Sequence, residues 1–414
     1  MRSRLALIVA LVVATVVLVY ALGEAPAAPG PTGSPSTDAS AAVGTITPAP
    51  TGSESPSPSI SQPILSNVSL KPRRVTVPAS FRYVVATSTR LIVLDLTAHT
   101  AAEVAIFQAP SLEPGFPRAE VTAASDGRVV ILSVFVTPQD ASVFLLTPET
   151  GEARFLVRGA IVRGVISPNG SRFAIARNDS DDALAGLWTG TIGASDARRL
   201  IADDPPSGSG PPIPYAFSPS GDLIAFGLPN GDAGSHAAIV AFGSPEARTD
   251  HSTGDWVVRG GNITLLGPSS GAEFITNDEV FVWSSRNAFG GQTVAYTYKI
   301  AEKRTNELYR PAGDTVIAFA AWSPGPRGFA EAERPMCCGV NLSETVKTVA
   351  EDGLIRTFPN RGALVDFWYA GTGNGARLYG IAGGDDATAG VTDLIGGTLV
   401  MSFCKRGGEP GSCV

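Results

Sequence analysis

The stretch from Gly267 to Gly271, GPSSG, has the G-x-S-x-G spacing of a nucleophile elbow. Such an elbow needs a strand before the serine, a helix after it and a histidine later in the chain. A strand-like segment, Ala272 to Trp283, follows instead. All three histidines precede the motif: His99, His236 and His251. We therefore expect no catalytic role for Ser269 and no serine-hydrolase domain.

Metal and cofactor sites are not predicted either. Two oxygen-rich stretches, Asn178 to Asp182 and Gly383 to Asp393, have ligands that suit a hard cation such as Ca²⁺. Neither contains the glycine and terminal glutamate of an EF-hand loop, and solvated turns account for both. The histidines are far apart in sequence and none lies near a cysteine, which argues against zinc.

Composition indicates many short strands. The chain has 414 residues, of which 44% are hydrophobic, with 46 glycines and 32 prolines. This content favours strands joined by turns over long helices. The net charge of -7 gives no electrostatic reason to bind nucleic acid or an anionic lipid surface.

A repeated plan organises the chain from about Leu70 onward. Three stretches consist of an apolar strand, a Ser-Pro-x-Gly turn or a variant of it, and a second apolar strand: GVISPNGSRFAIARN (164–178), YAFSPSGDLIAFGLP (215–229) and AAWSPGPRGFAEAE (320–333). Proline fixes φ for the first corner of a tight turn, serine bonds to the turn backbone, and glycine tolerates positive φ. The motif is therefore a scaffold turn rather than a catalytic loop.

The repeat predicts an all-β propeller built from four-stranded antiparallel blades. Weaker copies of the plan occupy Val121 to Phe135, Glu273 to Ser285 and Val365 to Ala382, and Phe81 to Phe107 supplies an incomplete first unit. A four-stranded unit of this length is one propeller blade. We count seven blades, or six if the N-terminal strands complete the last blade.

The Ser-Pro-x-Gly plan resembles the WD40-like repeat of TolB-type bacterial propellers, whose usual form is close to F-S-P-D-G followed by an apolar strand. The usual aspartate is replaced by Asn169 in one copy and by Ser220 in another, and the third copy carries Gly325-Pro326. The resemblance implies the fold. It does not carry a function with it.

The N-terminus predicts export. Arg2 and Arg4 precede an uncharged apolar run from Leu5 to Leu22, which as a helix is about 27 Å long and matches a bilayer core. The charge bias places the N-terminus in the cytoplasm and the remainder outside. We expect an uncleaved signal anchor at 1–23, with a cleaved signal peptide and secretion as the alternative. We expect residues 24–66 to form a disordered Pro/Ser/Thr-rich linker and residues 67–414 to form the propeller.

The four cysteines predict two disulfides in an exported chain. They are Cys337, Cys338, Cys404 and Cys413, and three connectivities are possible. Adjacent cysteines can bond only through a strained small ring. We therefore favour bridges from Cys337 and Cys338 to Cys404 and Cys413, which would staple the C-terminal tail to the penultimate blade. A redox-active vicinal pair is the alternative.

Loop lengths predict which face of the disk binds a partner. Connections between strands one and two, and three and four, are short, whereas those between strands two and three and between blades are long and irregular. Loops vary where a scaffold carries function. The candidate contacts on this long-loop face are Phe116, Arg118, His236, Arg286, Phe289 and Arg334.

These observations predict a membrane-tethered, extracytoplasmic propeller that binds a protein or a cell-envelope glycan without catalysis or cofactor. The alternative is a hydrolase or lyase that uses carboxylates at the channel, because many glycan-acting enzymes use such groups. Asp255, Asp278 and Asp366 are the candidates near strand ends. A purely structural module is the third possibility.

Overall fold

The structure is a computed structural model that describes residues 66–404 apart from the segments 79–82, 111–112, 114–115, 179–184, 204–209, 230–234, 251–256, 286–292, 314, 336–344, 359–363, 372 and 384–387. The chain divides into two units, Met1–Ser61 and Gln62–Val414, and all features below belong to the second. Among the described residues, no helix has the length and apolar character needed to cross a membrane. The expected anchor lies outside them, as does the expected linker apart from Ser66.

The described residues form a seven-bladed β-propeller, so the prediction of seven blades is confirmed. Blade 1 contains β1 (Ser69–Pro72), β2 (Tyr83–Ala86), β3 (Arg90–Asp95) and β4 (Thr100–Gln108). Blade 2 contains β5 (Arg118–Ala123), β6 (Val130–Thr137), β7 (Asp140–Thr147) and the first half of β8 (Glu152–Ile166). Blade 3 contains the second half of β8 with β9 (Arg172–Asn178), β10 (Gly186–Thr191) and β11 (Arg198–Asp203).

The remaining blades follow in chain order. The blade 4 region contains β12 (Ile213–Phe217), β13 (Leu223–Pro229), β14 (Ser235–Ala241), β15 (Ala247–Asp250), β16 (Val257–Arg259) and β17 (Ile263–Ser269). Blade 5 contains β18 (Gly271–Phe274), β19 (Glu279–Ser284), β20 (Val294–Lys299) and β21 (Arg304–Tyr309). Blade 6 contains β22 (Thr315–Trp322), β23 (Gly328–Pro335), β24 (Thr345–Ala350) and β25 (Ile355–Phe358). Blade 7 contains β26 (Leu364–Ala370), β27 (Arg377–Gly383), β28 (Thr388–Asp393) and β29 (Thr398–Cys404).

The ring closes by packing rather than by a shared strand. The N-terminal strand β1 pairs with β4 and so completes blade 1, whereas all four strands of blade 7 come from the C-terminal part of the chain. The six-blade alternative, in which N-terminal strands complete the last blade, is therefore wrong. Buried side chains fill this seam, including Leu94, Trp368 and Val391.

Two departures from the regular plan link blades 2, 3 and 4. Strand β8 pairs with β7 through its first half and with β9 through its second half, so one strand belongs to two blades. The hairpin β15–β16 is inserted between β14 and β17 of blade 4, yet β15 pairs in parallel with β11 at the outer edge of blade 3. This connection between third and fourth strands is long, contrary to the predicted short loop.

Hydrophobic clusters between neighbouring blades hold the described ring together. The second Ser-Pro-x-Gly copy shows how the sequence creates one. Ile224 and Phe226, on one side of β13, are fully buried against Leu187 and Leu200 of blade 3. Ala225, on the other side of the same strand, packs toward blade 5. Strands between two blades are apolar on both faces for this reason.

The Ser-Pro-x-Gly segments form the turns between first and second strands, as predicted. In the second copy the Ser218 hydroxyl accepts a hydrogen bond from the Leu223 amide at 3.0 Å, and Gly221 has a φ of 79°. The turns also bond to one another around the disk: the Ser125 amide donates to the Pro168 carbonyl, and the Ser220 amide to Asn277. These turns define one face of the disk, which we call the turn face.

Candidate functional site

A cavity of about 560 Å³ opens beside the axis between blades 7, 1 and 2. We call it the channel-mouth cavity. The innermost strands β2, β5 and β26 supply most of its wall, because the first strand of each blade lies next to the central channel. Its lining residues combine apolar and ionisable side chains: Tyr83, Val85, Ala86, Arg118, Ala119, Glu120, Val121, Val365, Asp366 and Ile381.

A tyrosine and an aspartate from opposite ends of the sequence meet on one side of this cavity. The Tyr83 hydroxyl donates to Asp366 Oδ2 at 2.5 Å, and the Phe367 amide donates to Asp366 Oδ1 at 2.8 Å. The Tyr83 ring is stacked on Trp368, with ring centroids 3.8 Å apart. Burial raises the pKa of Asp366, and the two hydrogen bonds oppose that rise. Burial and the nearby Asp366 raise the pKa of Tyr83.

A three-residue ion-pair network forms the other side. Arg118 and Arg163 each place Nη2 2.7 Å from the same oxygen of Glu120, Oε1. The Arg118 side chain is 61% exposed, whereas that of Glu120 is 29% exposed. One carboxylate therefore balances only one of two guanidinium charges. The exposed Arg118 lies where it can meet an acceptor group on a ligand.

Of the two proposed channel carboxylates that the structure describes, Asp366 lies in the cavity wall and Asp278 does not. Asp278 is exposed in the turn between β18 and β19, on the turn face, where its Oδ1 accepts the Ala301 amide at 2.8 Å. Asp255 lies outside the described residues.

Three of the six predicted contact residues, Arg118, His236 and Arg334, lie at the long-loop ends of their strands. Arg118 lines the channel-mouth cavity, and Arg334 is exposed near the end of β23. His236 is half-buried near the start of β14. Phe116 is half-buried against the hydrophobic cluster between blades 2 and 3. Arg286 and Phe289 lie outside the described residues, and partner binding by all six stays a prediction.

The loop that carries Phe116 joins successive blades, as predicted, but it begins on the turn face and not on the long-loop face. Because β1 provides the fourth strand of blade 1, residues 109–117 follow the third strand, β4, and not the fourth. Consecutive strands are antiparallel, so this connection passes from the turn face to the long-loop face before β5 begins. Its end still brings Arg118 to the long-loop side.

Within the described ranges, the remaining chemical motifs do not assemble a second site. Ser269 ends β17, is 3% exposed and is followed almost at once by strand β18, so the strand–helix turn of a nucleophile elbow is absent there. Among the described residues, no group of His, Cys, Asp and Glu side chains could hold a metal ion. Cys337, Cys338 and Cys413 lie outside the described residues and Cys404 ends β29, so the disulfides stay a prediction.

A second group of ionisable side chains, which we call the buried carboxylate cluster, lies between blades 5 and 6. Lys347 Nζ lies 2.7 Å from Glu333 Oε2 and also donates to the Tyr309 hydroxyl at 2.7 Å. Tyr309 in turn donates to Glu333 Oε1 at 2.7 Å. Glu331 is fully buried, and neither of its carboxylate oxygens has a hydrogen-bond partner among the described residues.

Burial and the neighbouring Glu333 raise the pKa of Glu331 to about 9. At neutral pH Glu331 is therefore protonated, and the Lys347 ammonium balances the charge of Glu333. A third carboxyl, Glu273 on β18, accepts the Trp322 amide at 3.0 Å, and burial raises its pKa to about 7.

Sequence reasoning missed both Tyr83 and the buried carboxylate cluster. The pairing of Tyr83 with Asp366 spans 283 positions and leaves no local pattern. The cluster did leave one: in AEAERP, Glu331 and Glu333 alternate with alanines on a strand flanked by apolar neighbours. Such alternation on a strand buried on both faces indicates buried carboxyl groups.

Comparisons with known proteins identify the fold and no family. No protein-family model matches the chain, and no curated protein matches it. A solved structure of a prolyl endopeptidase is similar with a TM-score of 0.51 at 12% identity, covering 82% of this chain and 49% of that one.

TolB and WD40 propellers are also among the similar solved structures. TolB from Acinetobacter baumannii matches with a TM-score of 0.40 at 12% identity, over 69% of this chain and 66% of that one. The C-terminal WD40 domain of Sif2 matches with a TM-score of 0.41 at 12% identity, over 69% and 71%.

Proposed function

We propose that the protein is a membrane-tethered, extracytoplasmic β-propeller that binds a protein or a cell-envelope glycan, without catalysis, at the channel-mouth cavity of its long-loop face. The observation that carries this proposal is the mixed lining of that cavity. Val85, Val121, Val365 and Ile381 supply apolar wall, and Arg118 adds an exposed guanidinium. Binding sites typically combine apolar walls with a few placed polar groups.

The hydrogen bonds of the cavity favour binding over catalysis. Both oxygens of Asp366 already accept a hydrogen bond, and Glu120 is held by two guanidinium groups. Hydrogen bonds to a carboxylate stabilise its charged form and so make it a weaker base and nucleophile. These carboxyl groups instead hold the wall in shape.

One observation favours the alternative function, a hydrolase or lyase. Asp366 has a raised pKa and lies beside the Tyr83 hydroxyl at the channel. A carboxyl group with a raised pKa can act as a general acid near neutral pH. Asp366→Asn would abolish turnover in this case, whereas a binding protein would show no turnover to lose.

The binding proposal is tested by two matched substitutions of exposed apolar residues. Val365, 61% exposed, lines the channel-mouth cavity, and Leu354, 54% exposed, lies beside the short connection between β24 and β25 on the turn face. Full-length protein with Val365→Arg or Leu354→Arg is incubated with solubilised envelope proteins and, separately, with fragmented envelope glycan. Bound material is then quantified.

We expect Val365→Arg to reduce binding of one of these two materials at least tenfold and Leu354→Arg to leave it unchanged. The arm that responds identifies the class of partner. Loss of binding in Leu354→Arg alone would move the site to the turn face and contradict the proposal.

The location is tested separately by protease treatment of intact cells that express the full chain. The expected membrane topology exposes residues 67–414 outside the cytoplasmic membrane, so the propeller becomes accessible once the outer layers are removed. Protection of the propeller until the cytoplasmic membrane is lysed would contradict this topology.

A further inference from the structure

A second cavity, of about 440 Å³, lies at the outer rim of the ring between blades 2 and 3. We call it the perimeter cavity. Its walls come from the outermost strand of blade 2, the first half of β8, and from β9 and β10 of blade 3. The turn after β10 contributes Ala194 and Ala197, which are exposed at its edge. None of its lining residues also lines the channel-mouth cavity.

The walls of the perimeter cavity are aromatic and aliphatic. Phe173 and Trp188 provide two aromatic side chains, and Leu156 and Ile175 provide aliphatic surface. Phe155 also lines the cavity, but its ring packs against Phe144 on the side of blade 2 that faces blade 1. Aromatic side chains pack well against the ring of a bound molecule, in offset-stacked or edge-to-face arrangements. Its volume falls in the range of cavities that hold small organic molecules, about 300–1,000 Å³.

The ionisable groups in this wall all have one sign. Arg154 and Arg177 line the cavity, and no carboxylate is among its described lining residues. In the described part of the chain, the exposed Arg154 side chain has neither ion pair nor hydrogen bond. Asp196 lies in the turn at the edge, but its carboxylate accepts the Thr191 amide at 2.8 Å. Asp196 keeps its negative charge at this edge, but the described residues that line the cavity carry only cationic groups, in a chain of net charge -7.

We propose that the perimeter cavity binds a small aromatic carboxylate or sulfonate. The aromatic walls hold the ring system and exclude water around it, while Arg154 pairs with the anionic group. A guanidinium matches the geometry of a carboxylate with two parallel hydrogen bonds. The pairing gains strength where the apolar walls lower the local dielectric constant.

The test uses two dyes with the same ring system, the anionic anilinonaphthalene sulfonate and the neutral N-phenylnaphthylamine. Each is titrated into the full-length protein, and fluorescence gives its Kd. Energy transfer from tryptophan to the dye should fall more in Trp188→Phe than in Trp322→Phe, because Trp188 lines this cavity and Trp322 lies in blade 6. Arg154→Gln removes the unpaired cation, and Ala197→Trp fills the cavity from its exposed edge. Arg304→Gln, on the outermost strand of blade 5, is the control for loss of a surface arginine.

We expect Arg154→Gln to raise the Kd of the anionic dye at least fivefold and to leave the Kd of the neutral dye within a factor of two of the wild-type value. Ala197→Trp should weaken the binding of both dyes, and Arg304→Gln should change the binding of neither. Equal affinity of the anionic dye for wild type and Arg154→Gln would overturn the assignment of the anion to Arg154. Unchanged binding of both dyes to Ala197→Trp would overturn the site itself. Val365→Arg should leave both dyes unaffected, which separates this result from binding at the channel mouth.

Discussion

Carboxyl groups occur in two contrasting settings in this ring, the channel-mouth cavity and the buried carboxylate cluster. At the channel mouth, Asp366 and Glu120 line a cavity of about 560 Å³ and are bonded to Tyr83 and two arginines. In the cluster, Glu331 and Glu333 are packed between two blades, and Glu331 is fully buried. Both settings raise the pKa of a carboxyl group, of Asp366 in the first and of Glu331 in the second.

The two settings differ in whether a ligand can reach the carboxyl group. This difference separates a candidate binding site from a group that only stabilises the fold. A raised pKa signals a functional carboxyl only where a ligand can reach it. Glu331 lines neither of the two cavities described above, so its protonation affects the stability of the seam between blades 5 and 6. Asp366 lines a cavity, so its environment bears on binding. Substitutions in the cluster should therefore change stability strongly, and substitutions at the channel mouth only mildly.

We expect the largest loss in the free energy of unfolding from Lys347→Met. Lys347 carries the only positive charge within ion-pair distance of Glu333 in the described chain, and both side chains are largely buried. Removing one partner of a buried ion pair leaves an uncompensated charge, which costs about 3–5 kcal/mol. Urea denaturation at pH 7 should show this loss.

Lys299→Met provides the matched control, because Lys299 pairs with Glu302 at the surface, 3.3 Å away. Exposed ion pairs contribute at most about 1 kcal/mol. Equal losses in the two variants would mean that the cluster is as accessible to water as the surface, and the contrast with the channel mouth would fail.

The second effect is a pH dependence of stability that Glu331 controls. Burial and Glu333 hold the pKa of Glu331 at about 9 in the folded protein, against an ordinary value of 4.5. Between these values the folded state keeps a proton that the unfolded chain has released. The free energy of unfolding therefore falls as pH rises, by up to about 1.4 kcal/mol per pH unit.

Glu331→Gln cannot ionise, so denaturation between pH 5 and pH 9 should show a shallower decline for this variant than for wild type. The two proteins should differ least at pH 5 and most near pH 9. Parallel curves would show that Glu331 is ionised in the fold, contrary to its setting.

The smallest losses of stability are expected at the channel mouth, from Tyr83→Phe and, smaller still, from Arg118→Gln. Tyr83→Phe removes the hydrogen bond to Asp366 but keeps an aromatic ring against Trp368. Loss of one partly buried hydrogen bond to a carboxyl group costs about 1–2 kcal/mol. Denaturation at pH 7 measures this, and Arg118→Gln, at a side chain 61% exposed, should stay within about 0.5 kcal/mol of wild type. A Tyr83→Phe loss equal to that of Lys347→Met would contradict the division between the two regions.

Most of the fold could be predicted from sequence because each blade repeats one local plan. The turn residues at Ser218 and Gly221, with apolar strands on both sides, are enough to place the hairpin and its neighbours. The inserted hairpin β15–β16 could not be predicted in this way. Its strand Ala247–Asp250 is short and polar, and it pairs in parallel with a strand of another blade more than forty positions earlier. No local pattern encodes such a pairing.

The candidate site could be predicted only in part, for the same reason. Asp366 was identifiable because it lies near a strand end, and Arg118 because it follows an irregular loop. Their common cavity depends on the ring that brings blades 7, 1 and 2 together. Tyr83 has no neighbour in sequence that indicates its role, and the partners of Glu120 come from two different blades.

The way the ring closes has a consequence for its dynamics. Strand β8 and the β11–β15 pairing join blades 2, 3 and 4 through backbone hydrogen bonds, whereas blades 7 and 1 share no strand. The seam between blades 7 and 1 rests on side-chain packing, including the Tyr83–Trp368 stack. We expect local opening to begin at this seam, so that amides of β2 and β26 exchange with deuterated solvent before those of β8 and β11. The channel-mouth cavity adjoins this seam. A ligand bound there would contact both blades and so slow hydrogen exchange at the amides of β2 and β26.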